Sequence, residues 1–344
     1  MSNKLKIAVV GATGAVGETM LSILAQQGFH QARVHALASE KSLGKTVEFG
    51  KRTLAVEVLE DFDFTTVDFA LFSAGGGTSL KYVPQATRAG CTVIDNTSAF
   101  RRDPDIPLVV PEINGDLLEN LAPGSIIANP NCSTIQMLIA VAPIHALAGI
   151  ERINVATYQS VSGAGRKAME ELARQTMDRL SFKEVKPSVF AQPIAFNAIP
   201  FIDTMQENGY TREEMKMQWE TCKILRDDSI RVNATAVRIP VFYGHSEAVH
   251  LETSSDISMD AVREAMHDAP GLVLVDADNP QAQVTAVTHA AGKDEVFVSR
   301  LRRDHSHGRG INMWVVGDNI RKGAALNTVQ ILKEILKDKM SVET

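Results

Sequence analysis

The chain of 344 residues carries a formal net charge of −6, and 44% of its residues are hydrophobic against 22% charged. This length suits two domains with separate cores, and the composition excludes a disordered or fibrous protein. The acidic balance leaves no broad basic surface, so nucleic acid is not an expected partner. The first residues run directly into a strand-like segment without a signal-peptide core, and no apolar stretch reaches membrane-spanning length, which together predict a cytoplasmic protein.

The cysteine content argues against disulfides and metal sites. Cys91, Cys132 and Cys222 are too few and too scattered for a disulfide framework or a paired-cysteine metal site. An HExxH motif is also missing from the sequence. We therefore expect no metal cofactor, and we expect reduced thiols, one of which can serve as a nucleophile.

The first predicted unit is a strand, a glycine turn and a helix. Residues 7–10 are apolar, Gly11, Gly14 and Gly17 follow at three-residue spacing, and residues 20–24 have a helical pattern. Such glycines allow a tight turn, a close approach to a pyrophosphate and close packing of the helix, whose N-terminus faces the phosphate. The pattern favours dinucleotide binding, although a glycine-rich turn in another α/β unit has the same spacing.

The next two predicted strands end in candidate cofactor residues. Residues 33–38 are followed by Ser39, Glu40, Lys41 and Ser42, and hydroxyls with a lysine suit a 2′-phosphate, while Glu40 argues the other way. This favours NADP over NAD. Residues 67–72 are followed by a glycine-rich segment, residues 73–79, which we interpret as a flexible turn. It suits a position over a cofactor, and a simple connecting loop explains it equally well.

A fourth strand, residues 91–95, leads into a polar run with two adjacent arginines, Arg101 and Arg102. Adjacent arginines on a loop are usually solvated, yet a guanidinium can bind phosphate or carboxylate through two hydrogen bonds. The alternation of strands and helices up to residue 131 predicts a doubly wound parallel sheet.

The most distinctive stretch is the turn that precedes Cys132. Residues 126–128 end a buried strand, residues 129–131 are turn residues, and an apolar helix follows. A cysteine at a helix start lies at the positive end of the helix dipole, which favours the thiolate and a neighbouring oxyanion. An inert, buried cysteine remains the alternative.

The second half is predicted to be a separate α+β domain, with an irregular segment at residues 188–201. Its predicted strands are residues 152–161, 230–241, 245–254, 271–275, 296–302 and 311–316, and its predicted helices are residues 168–180, 211–225 and 259–267. A last helix, residues 323–339, is expected to return to the first domain. The predicted domains are residues 1–131 with 321–344, and residues 132–320.

Arg238 and His245 are the main chemical candidates in this half. A thiol nucleophile needs a proton-transfer partner, and histidine is the usual one, although a single histidine is more often structural. Glu213 and Lys216 lie one helical turn apart, and the simplest interpretation of that pair is a surface salt bridge.

Taken together and in this order, these motifs resemble the aspartate-β-semialdehyde dehydrogenase family over essentially the whole chain. The resemblance rests on residues 11–17, 98–101, 129–132 and 159–165, on Glu213 with Lys216, on Arg238 with His245, and on Asn319. It implies a Rossmann NADP-binding domain, a glyceraldehyde-3-phosphate-dehydrogenase-like C-terminal domain, and a homodimer or a dimer of dimers.

The resemblance also implies roles for individual residues. Cys132 would form an acyl thioester, His245 would act as general acid and base, and Gln159 would orient the acyl group. The substrate would be held by Arg238 at its α-carboxylate, by Glu213 at its amino group, by Arg101, Lys216 and Asn131 at the phosphate, and by Ser98. The cofactor would be held by Gly11, Thr13, Gly14, Ala15, Val16, Ser39, Lys41, Ser42, Ser73, Ser162, Gly163 and Asn319.

The implied reaction is the NADPH-dependent conversion of β-aspartyl phosphate to aspartate β-semialdehyde, which serves the biosynthesis of lysine, methionine, threonine and isoleucine. Two alternatives remain. An N-acetyl-γ-glutamyl-phosphate reductase performs the same chemistry but needs no site for a free amino group, so Glu213 argues against it. A catalytically inactive relative would be expected to lack the nucleophile, and Cys132 is present.

Overall fold

The computed structural model describes residues 5–275 and 283–340. The chain forms two compact units, Met1–Pro130 with Ala324–Thr344, and Asn131–Gly323. Residue 131 and residues 321–323 therefore belong to the second unit, whereas the sequence-based boundaries assigned them to the first. Within the described ranges, no helix is long and apolar enough to cross a membrane.

The first unit alternates strands with helices. Its elements up to residue 130 are β1 (Lys6–Val10), α1 (Ala15–Gln26), β2 (Arg33–Ala38), β3 (Thr46–Phe49), β4 (Arg52–Val58), β5 (Phe69–Phe72), α2 (Gly76–Arg88), β6 (Thr92–Asp95), α3 (Pro111–Asn114) and β7 (Ile126–Ala128). The seven strands are ordered β3-β4-β2-β1-β5-β6-β7, and all neighbours are parallel except β3 and β4. The predicted doubly wound sheet is confirmed.

The parallel strands place several turns at one edge of this sheet. Because β1, β2, β5 and β6 run in the same direction, their carboxyl ends meet there. The segments that follow them are residues 11–14, 39–42, 73–75 and 96–101. These segments include most of the cofactor and phosphate residues predicted in the first half of the chain.

One feature of this unit was not predicted, and one local prediction was wrong. The hairpin of β3 and β4 was not predicted, because it is short and its alternating side chains are largely exposed. The glycine-rich segment is a turn only up to Gly75, which adopts φ +92°, and α2 begins at Gly76 despite the glycines there. The start of α2 is tied to the sheet by a hydrogen bond of 2.8 Å from the Ser79 hydroxyl to Asp95.

The second unit has a mixed six-stranded sheet covered by helices. Its elements are α4 (Cys132–Ala148), β8 (Ile150–Gln159), α5 (Arg166–Leu180), α6 (Arg212–Leu225), β9 (Arg231–Arg238), β10 (His245–Thr253), α7 (Met259–His267), β11 (Leu272–Leu274), β12 (Val296–Arg303) and β13 (Gly310–Gly317). The strands are ordered β11-β12-β13-β10-β8-β9. Helix α8 (Leu326–Met340) follows and belongs to the first unit.

The register of this sheet gathers three of the predicted site residues. Gln159, the last residue of β8, pairs with Arg238, the last residue of β9. His245, the first residue of β10, pairs with Gly317 on β13, and its neighbour Ser246 pairs with Tyr158 on β8. Two strand ends and one strand start therefore bring Gln159, Arg238 and His245 to one corner of the sheet.

Candidate active site

Cys132 is the first residue of α4, as predicted. Asn131 caps this helix, because its side-chain oxygen accepts hydrogen bonds from the backbone N–H groups of Ser133 at 3.0 Å and Thr134 at 3.4 Å. Cys132 is partly exposed, whereas most of the helix after it is buried. The thiol is thus accessible and lies at the positive end of the helix dipole, where a thiolate and an oxyanion are both stabilised.

The space around the thiol depends on a glycine that sequence reasoning missed. A Cβ atom placed on Gly323 would lie 2.7 Å from the Cβ of Cys132 and 3.2 Å from its Cα. A side chain at this position would therefore force Cys132 or the backbone of residue 323 to shift. Cys132 and Gly323 are 191 positions apart in the chain, so only the folded structure shows that they meet.

His245 is fully buried at the start of β10. Burial and the charge of Arg238 lower the pKa of its imidazole to about 3, against an opposing effect of Glu213. The ring is therefore neutral near pH 7. Its Nδ1 accepts a hydrogen bond of 3.1 Å from the backbone N–H of Ser160, and its Nε2 has no hydrogen bond within the described part of the chain.

Arg238 is also buried, and it lies beside both Cys132 and His245. Burial lowers the pKa of its guanidinium, while the charges of Glu213 and Cys132 raise it. The same attraction stabilises a thiolate at Cys132. One guanidinium nitrogen donates to the carbonyl oxygen of Ser160 at 2.6 Å. A buried guanidinium held in this way can receive a carboxylate of a small substrate.

Gly163 lies close to both Arg238 and His245. A Cβ atom on this residue would lie 3.1 Å from a guanidinium nitrogen of Arg238 and 3.6 Å from Nε2 of His245. A side chain at Gly163 would therefore press against Arg238 and contact His245. Gly163 was predicted as a cofactor ligand. The structure places it against Arg238, a predicted substrate ligand, and His245, the predicted general acid and base.

Glu213 is the centre of a buried polar network. Its carboxylate accepts from the Asn131 side chain at 2.9 Å, the Gln159 side chain at 3.1 Å and the Lys216 ammonium at 2.9 Å. Lys216 also pairs with Asp203 at 2.8 Å. Burial by itself would raise the pKa of Glu213, but Lys216 and these hydrogen bonds lower it to about 2. The interpretation of Glu213 and Lys216 as a surface salt bridge was wrong, because the side chains are only 7% and 14% exposed.

Ser162 and Asn319 were predicted as cofactor ligands, and they take part in a hydrogen-bond network beside His245. The side-chain oxygen of Asn319 accepts from the hydroxyls of Ser160 at 3.1 Å and Ser162 at 3.2 Å, and from the backbone N–H of Gly244 at 3.0 Å. This network fixes the turn that carries His245. Ser160 was not singled out from the sequence, although it lies inside the motif of residues 159–165.

In the first unit, the glycine turn before α1 is closely packed. Gly11 adopts φ +87°, and a Cβ atom there would lie 3.0 Å from the backbone of Ala74. A Cβ atom on Gly17 would lie 2.2 Å from the carbonyl oxygen of Gly11. The turn can therefore close only with glycine at both positions, which leaves its backbone open to a phosphate-bearing ligand at the start of α1.

The turns after β2 and β5 lie beside this glycine turn at the same edge of the first sheet. The hydroxyls of Thr13 and Ser42 lie 3.3 Å apart, while Ser39 and Lys41 are exposed. The Ser73 hydroxyl donates to the carbonyl oxygen of Val10 at 3.1 Å. The structure thus brings Thr13 together with Ser42, and it leaves Ser39 and Lys41 accessible to a ligand.

Arg101 is held in the turn after β6 rather than solvated. It is 8% exposed, and it donates to the carbonyl oxygen of Asn96 at 3.0 Å. Asp95 shapes the same turn by accepting from the Thr97 backbone and hydroxyl at 3.1 and 2.7 Å. Ser98 lies half-buried in this turn. Arg101 and Ser98, the two residues of the first unit predicted to bind phosphate or substrate, therefore both lie in the turn after β6.

In the part of the chain that the structure describes, no group of three or more histidine, cysteine, aspartate or glutamate side chains could hold a metal ion. This finding concerns only residues 5–275 and 283–340.

A second polar layer lies behind the site on the same strands. Thr157 precedes Gln159 by two residues, Glu247 follows His245 by two, and the two pair across β8 and β10. Both carboxyl oxygens of Glu247 and the hydroxyl of Thr157 lack a hydrogen bond within the described residues. Burial raises the pKa of Glu247 well above its ordinary value, despite a weaker opposing effect of Gln136. Glu247 thus keeps its proton over a pH range in which an exposed glutamate is ionised.

Glu247→Gln is expected to flatten the pH dependence of stability. Above pH 4.5 the unfolded chain releases this proton while the folded protein keeps it, so the free energy of unfolding falls as pH rises towards the folded pKa. The slope is at most about 1.4 kcal/mol per pH unit. Glutamine has no such proton, so the stability of the variant relative to wild type should rise from pH 4.5 upwards, as measured by chemical denaturation.

Glu252→Gln, on the same strand but half-buried, is the control for this measurement. A stability difference between Glu247→Gln and wild type that stays constant with pH would contradict the prediction.

Comparison with family models places both units in one group of enzymes. Residues 6–121 match the NAD-binding domain of semialdehyde dehydrogenases, and residues 141–322 match their dimerisation domain. These matches confirm the predicted dinucleotide-binding unit and the two-domain organisation of the fold. Aspartate-semialdehyde dehydrogenase from Legionella pneumophila is 55% identical over 337 residues, which cover 98% of this chain and 97% of that protein.

Solved structures give the same result. Aspartate-semialdehyde dehydrogenase II from Vibrio cholerae, complexed with ASA, has a TM-score of 0.94 at 52% identity, covering 98% of this chain and 99% of that one. An aspartate-semialdehyde dehydrogenase with NADP from Candida albicans has a TM-score of 0.75 at 24% identity, covering 97% and 98%. At that identity, the second comparison shows the shared fold alone.

Proposed function

The chain belongs to the aspartate-semialdehyde dehydrogenase family, and from that membership we propose that it converts β-aspartyl phosphate to aspartate β-semialdehyde with NADPH. It is an oxidoreductase with an NAD(P)-binding domain. The observation that carries the proposal is the position of Cys132 at the start of α4, in the unit that also holds buried Arg238 and His245. The product would serve the biosynthesis of lysine, methionine, threonine and isoleucine.

Cys132 is proposed as the nucleophile. Its thiolate, stabilised by the helix start and by Arg238, attacks the acyl carbon of the substrate, and phosphate leaves as the thioester forms. NADPH, when bound, supplies the hydride that reduces this acyl carbon. His245 gives a proton to the substrate oxygen as the hydride arrives and takes it back as the Cys132 thiolate is expelled, and Gln159 orients that oxygen. Expulsion of the Cys132 thiolate then releases the aldehyde.

The two anionic ends of the substrate need separate cations. Arg238 is proposed to bind the α-carboxylate, because its guanidinium is buried and is fixed by Ser160. Arg101, Lys216, Asn131 and Ser98 are proposed for the phosphate. Lys216 donates to Glu213 and Asp203, which leaves a third N–H of its ammonium for this purpose. Glu213 is proposed to bind the substrate amino group through its anionic carboxylate.

The cofactor is proposed to be NADP. Gly11, Thr13, Gly14, Ala15 and Val16 would hold the pyrophosphate at the start of α1. Ser39, Lys41 and Ser42 would bind the 2′-phosphate, with Glu40 as the one residue that opposes it. Ser73, Ser162, Gly163 and Asn319 would contact the remainder of the cofactor. The exposed hydroxyl and ammonium groups after β2 support NADP over NAD.

The protein is also proposed to act as a homodimer, because residues 141–322 match the dimerisation domain of the family. A cytoplasmic location stays a prediction from the sequence.

The test is an assay of the purified protein with aspartate β-semialdehyde, phosphate and either NADP or NAD. We expect phosphate-dependent reduction of NADP, with a lower kcat/KM for NAD. Turnover of N-acetylglutamate γ-semialdehyde in preference to aspartate β-semialdehyde would favour the reductase alternative. No turnover with either aldehyde would favour an inactive relative.

Gly323→Ala is expected to lower kcat by about 100-fold, because a displacement of the nucleophile by about 1 Å can have that effect. The added Cβ would meet the Cβ of Cys132 at 2.7 Å, so Cys132 or the backbone of residue 323 must shift. Steady-state kinetics with aspartate β-semialdehyde measure the change. Gly308→Ala is the control, since a Cβ there meets no atom within 4 Å. Equal kcat values for the two variants would contradict the expected crowding.

A further inference from the structure

The turn of residues 318–323 lies beside His245. It begins directly after Gly317, which pairs with His245 in the sheet. Its second residue, Asn319, accepts a hydrogen bond of 3.0 Å from the backbone N–H of Gly244, the residue before the histidine. The place of His245 therefore depends on where this turn lies.

The other end of the same turn lies against Cys132. A Cβ atom on Gly323 would lie 2.7 Å from the Cβ of Cys132. The backbone N–H of Gly323 donates to the carbonyl oxygen of Asp318 at 3.0 Å, so the two ends of the turn are joined. Because the turn is closed in this way, a shift of Asp318 is transmitted to the residue that contacts the cysteine.

The side chain of Asp318 holds the turn through both of its oxygens. Oδ1 accepts from the backbone N–H groups of Ile320 at 2.8 Å and Arg321 at 2.9 Å. Oδ2 accepts from the backbone N–H of Gly292 at 2.7 Å, although Gly292 is 26 positions away in the chain. Asp318 is only 5% exposed, so removing its carboxylate would leave these N–H groups with little access to water.

The Oδ2 atom of Asp318 connects the turn with a second segment, residues 286–292. This segment is closed by a hydrogen bond of 2.8 Å from the backbone N–H of Ala291 to the carbonyl oxygen of Ala286. A Cβ atom on Gly244 would lie 2.9 Å from the Cβ of Ala286. The segment that Asp318 holds therefore packs directly against the backbone before the histidine.

We propose that Asp318 is a positioning residue that places Cys132 and His245 relative to each other, because its two carboxylate oxygens join the turn that lies beside both to the segment that packs before His245. The inference rests on the proposed function, in which these two side chains are the nucleophile and the general acid and base. In the part of the chain that the structure describes, the side chain of Asp318 bonds only backbone N–H groups, so it acts through the backbone that it holds.

The residue type at position 318 follows from this geometry. A serine, threonine or asparagine can also accept from the N–H groups two and three positions later, but each has a single side-chain oxygen that accepts in this way. Asparagine would present an NH₂ group to the N–H of Gly292, and two donors cannot bond to each other. Asp318→Asn is therefore expected to keep the turn and to break its link to residues 286–292.

The first test is amide hydrogen exchange of the intact protein, measured by mass spectrometry. In Asp318→Ala, exchange should accelerate by about 10-fold or more in residues 286–292 and 318–323, because both segments lose a bond that restrains them. In Asp318→Asn, only residues 286–292 should accelerate. Unchanged exchange in both segments, or equal acceleration throughout the second unit, would overturn the proposal. If Asp318→Ala does not fold, the pattern in Asp318→Asn decides.

The second test is kinetic. Asp318→Ala is expected to lower kcat with aspartate β-semialdehyde by about 100-fold, since a displacement of about 1 Å between reacting groups can have that effect. KM should change by less than about 3-fold, because the proposed substrate cations lie on other elements. Asp318→Asn should recover most of the loss, since it keeps the turn against Cys132.

Asp294→Ala is the matched control. Asp294 binds the same turn, but only through the side chain of Arg321 at 2.6 Å, and it is 42% exposed. Its kcat should match wild type. An unchanged kcat in Asp318→Ala, an equal loss in Asp294→Ala, or a raised KM at constant kcat would overturn the role assigned to Asp318.

The two tests separate this inference from the proposed function, since hydrogen exchange needs no turnover. Wild type that is inactive with this substrate but shows the expected exchange pattern would overturn the proposed function and leave the link made by Asp318 standing. Active wild type with an unchanged kcat in both Asp318 variants would overturn the positioning role alone.

Discussion

Cys132→Ser is expected to lower phosphate-dependent reduction of NADP with aspartate β-semialdehyde by roughly 10⁴-fold or more, since the covalent path is lost. A hydroxyl keeps the size of the side chain, but it is a far weaker nucleophile and is not ionised near neutral pH. The start of α4 and the charge of Arg238 stabilise a thiolate, and they provide too little stabilisation to ionise a serine. The initial rate of NADPH formation measures the loss.

Cys222→Ser is the matched control. Cys222 is also partly exposed, but it lies near the end of α6, with its sulfur 2.9 Å from the Gln218 amide, and it has no proposed role. Its activity should match wild type. Substantial turnover by Cys132→Ser, or a thioester trapped on a peptide other than the one with Cys132, would reject the covalent mechanism.

Arg238→Lys is expected to lower kcat/KM by roughly 10²- to 10³-fold, since a lysine keeps the charge but cannot form two parallel hydrogen bonds to a carboxylate. The loss should appear with substrates that bear an α-carboxylate. The variant also loses the planar contact with the Ser160 carbonyl, which holds the guanidinium in place. Steady-state kinetics over a range of semialdehyde concentrations give the value.

Arg231→Lys on the same strand is the control, because Arg231 is exposed at the start of β9. It should leave kcat/KM unchanged. An Arg238→Lys variant with the kinetics of wild type would reject Arg238 as the carboxylate ligand.

Much of the fold could be predicted from local patterns. The first parallel strands are short apolar runs followed by glycine or polar turns, and these runs are buried in the sheet. The hairpin of β3 and β4 was missed because a short, mostly exposed strand at a sheet edge has little apolar pattern. The start of α2 at Gly76 was missed because its anchor, the bond from Ser79 to Asp95, joins two elements of the sheet edge.

The candidate site likewise contains residues that can be identified by their type and residues that only the folded chain reveals. Cys132, Arg238 and His245 carry chemistry that can be identified from residue type, and each lies at the end or start of an element. Ser160 and Gly323 act through contacts with residues 85 and 191 positions away, so they depend on strand register and on the folded chain. The buried Glu213 also depends on hydrogen bonds from Asn131 and Gln159, which the helical spacing of Glu213 and Lys216 does not reveal.

From the position of Cys132 at the start of α4 we also expect a particular response to oxidants. Of the three cysteines, Cys91 is buried and burial raises its pKa to about 12, and burial also raises the pKa of Cys222. Peroxide reacts with thiolates, so both of these thiols are protected near neutral pH. Cys132 alone combines partial exposure with a helix start and a neighbouring guanidinium. We therefore expect Cys132, the proposed nucleophile, to be the first of the three cysteines to form a sulfenic acid, and thiols to reverse that oxidation at the same sulfur.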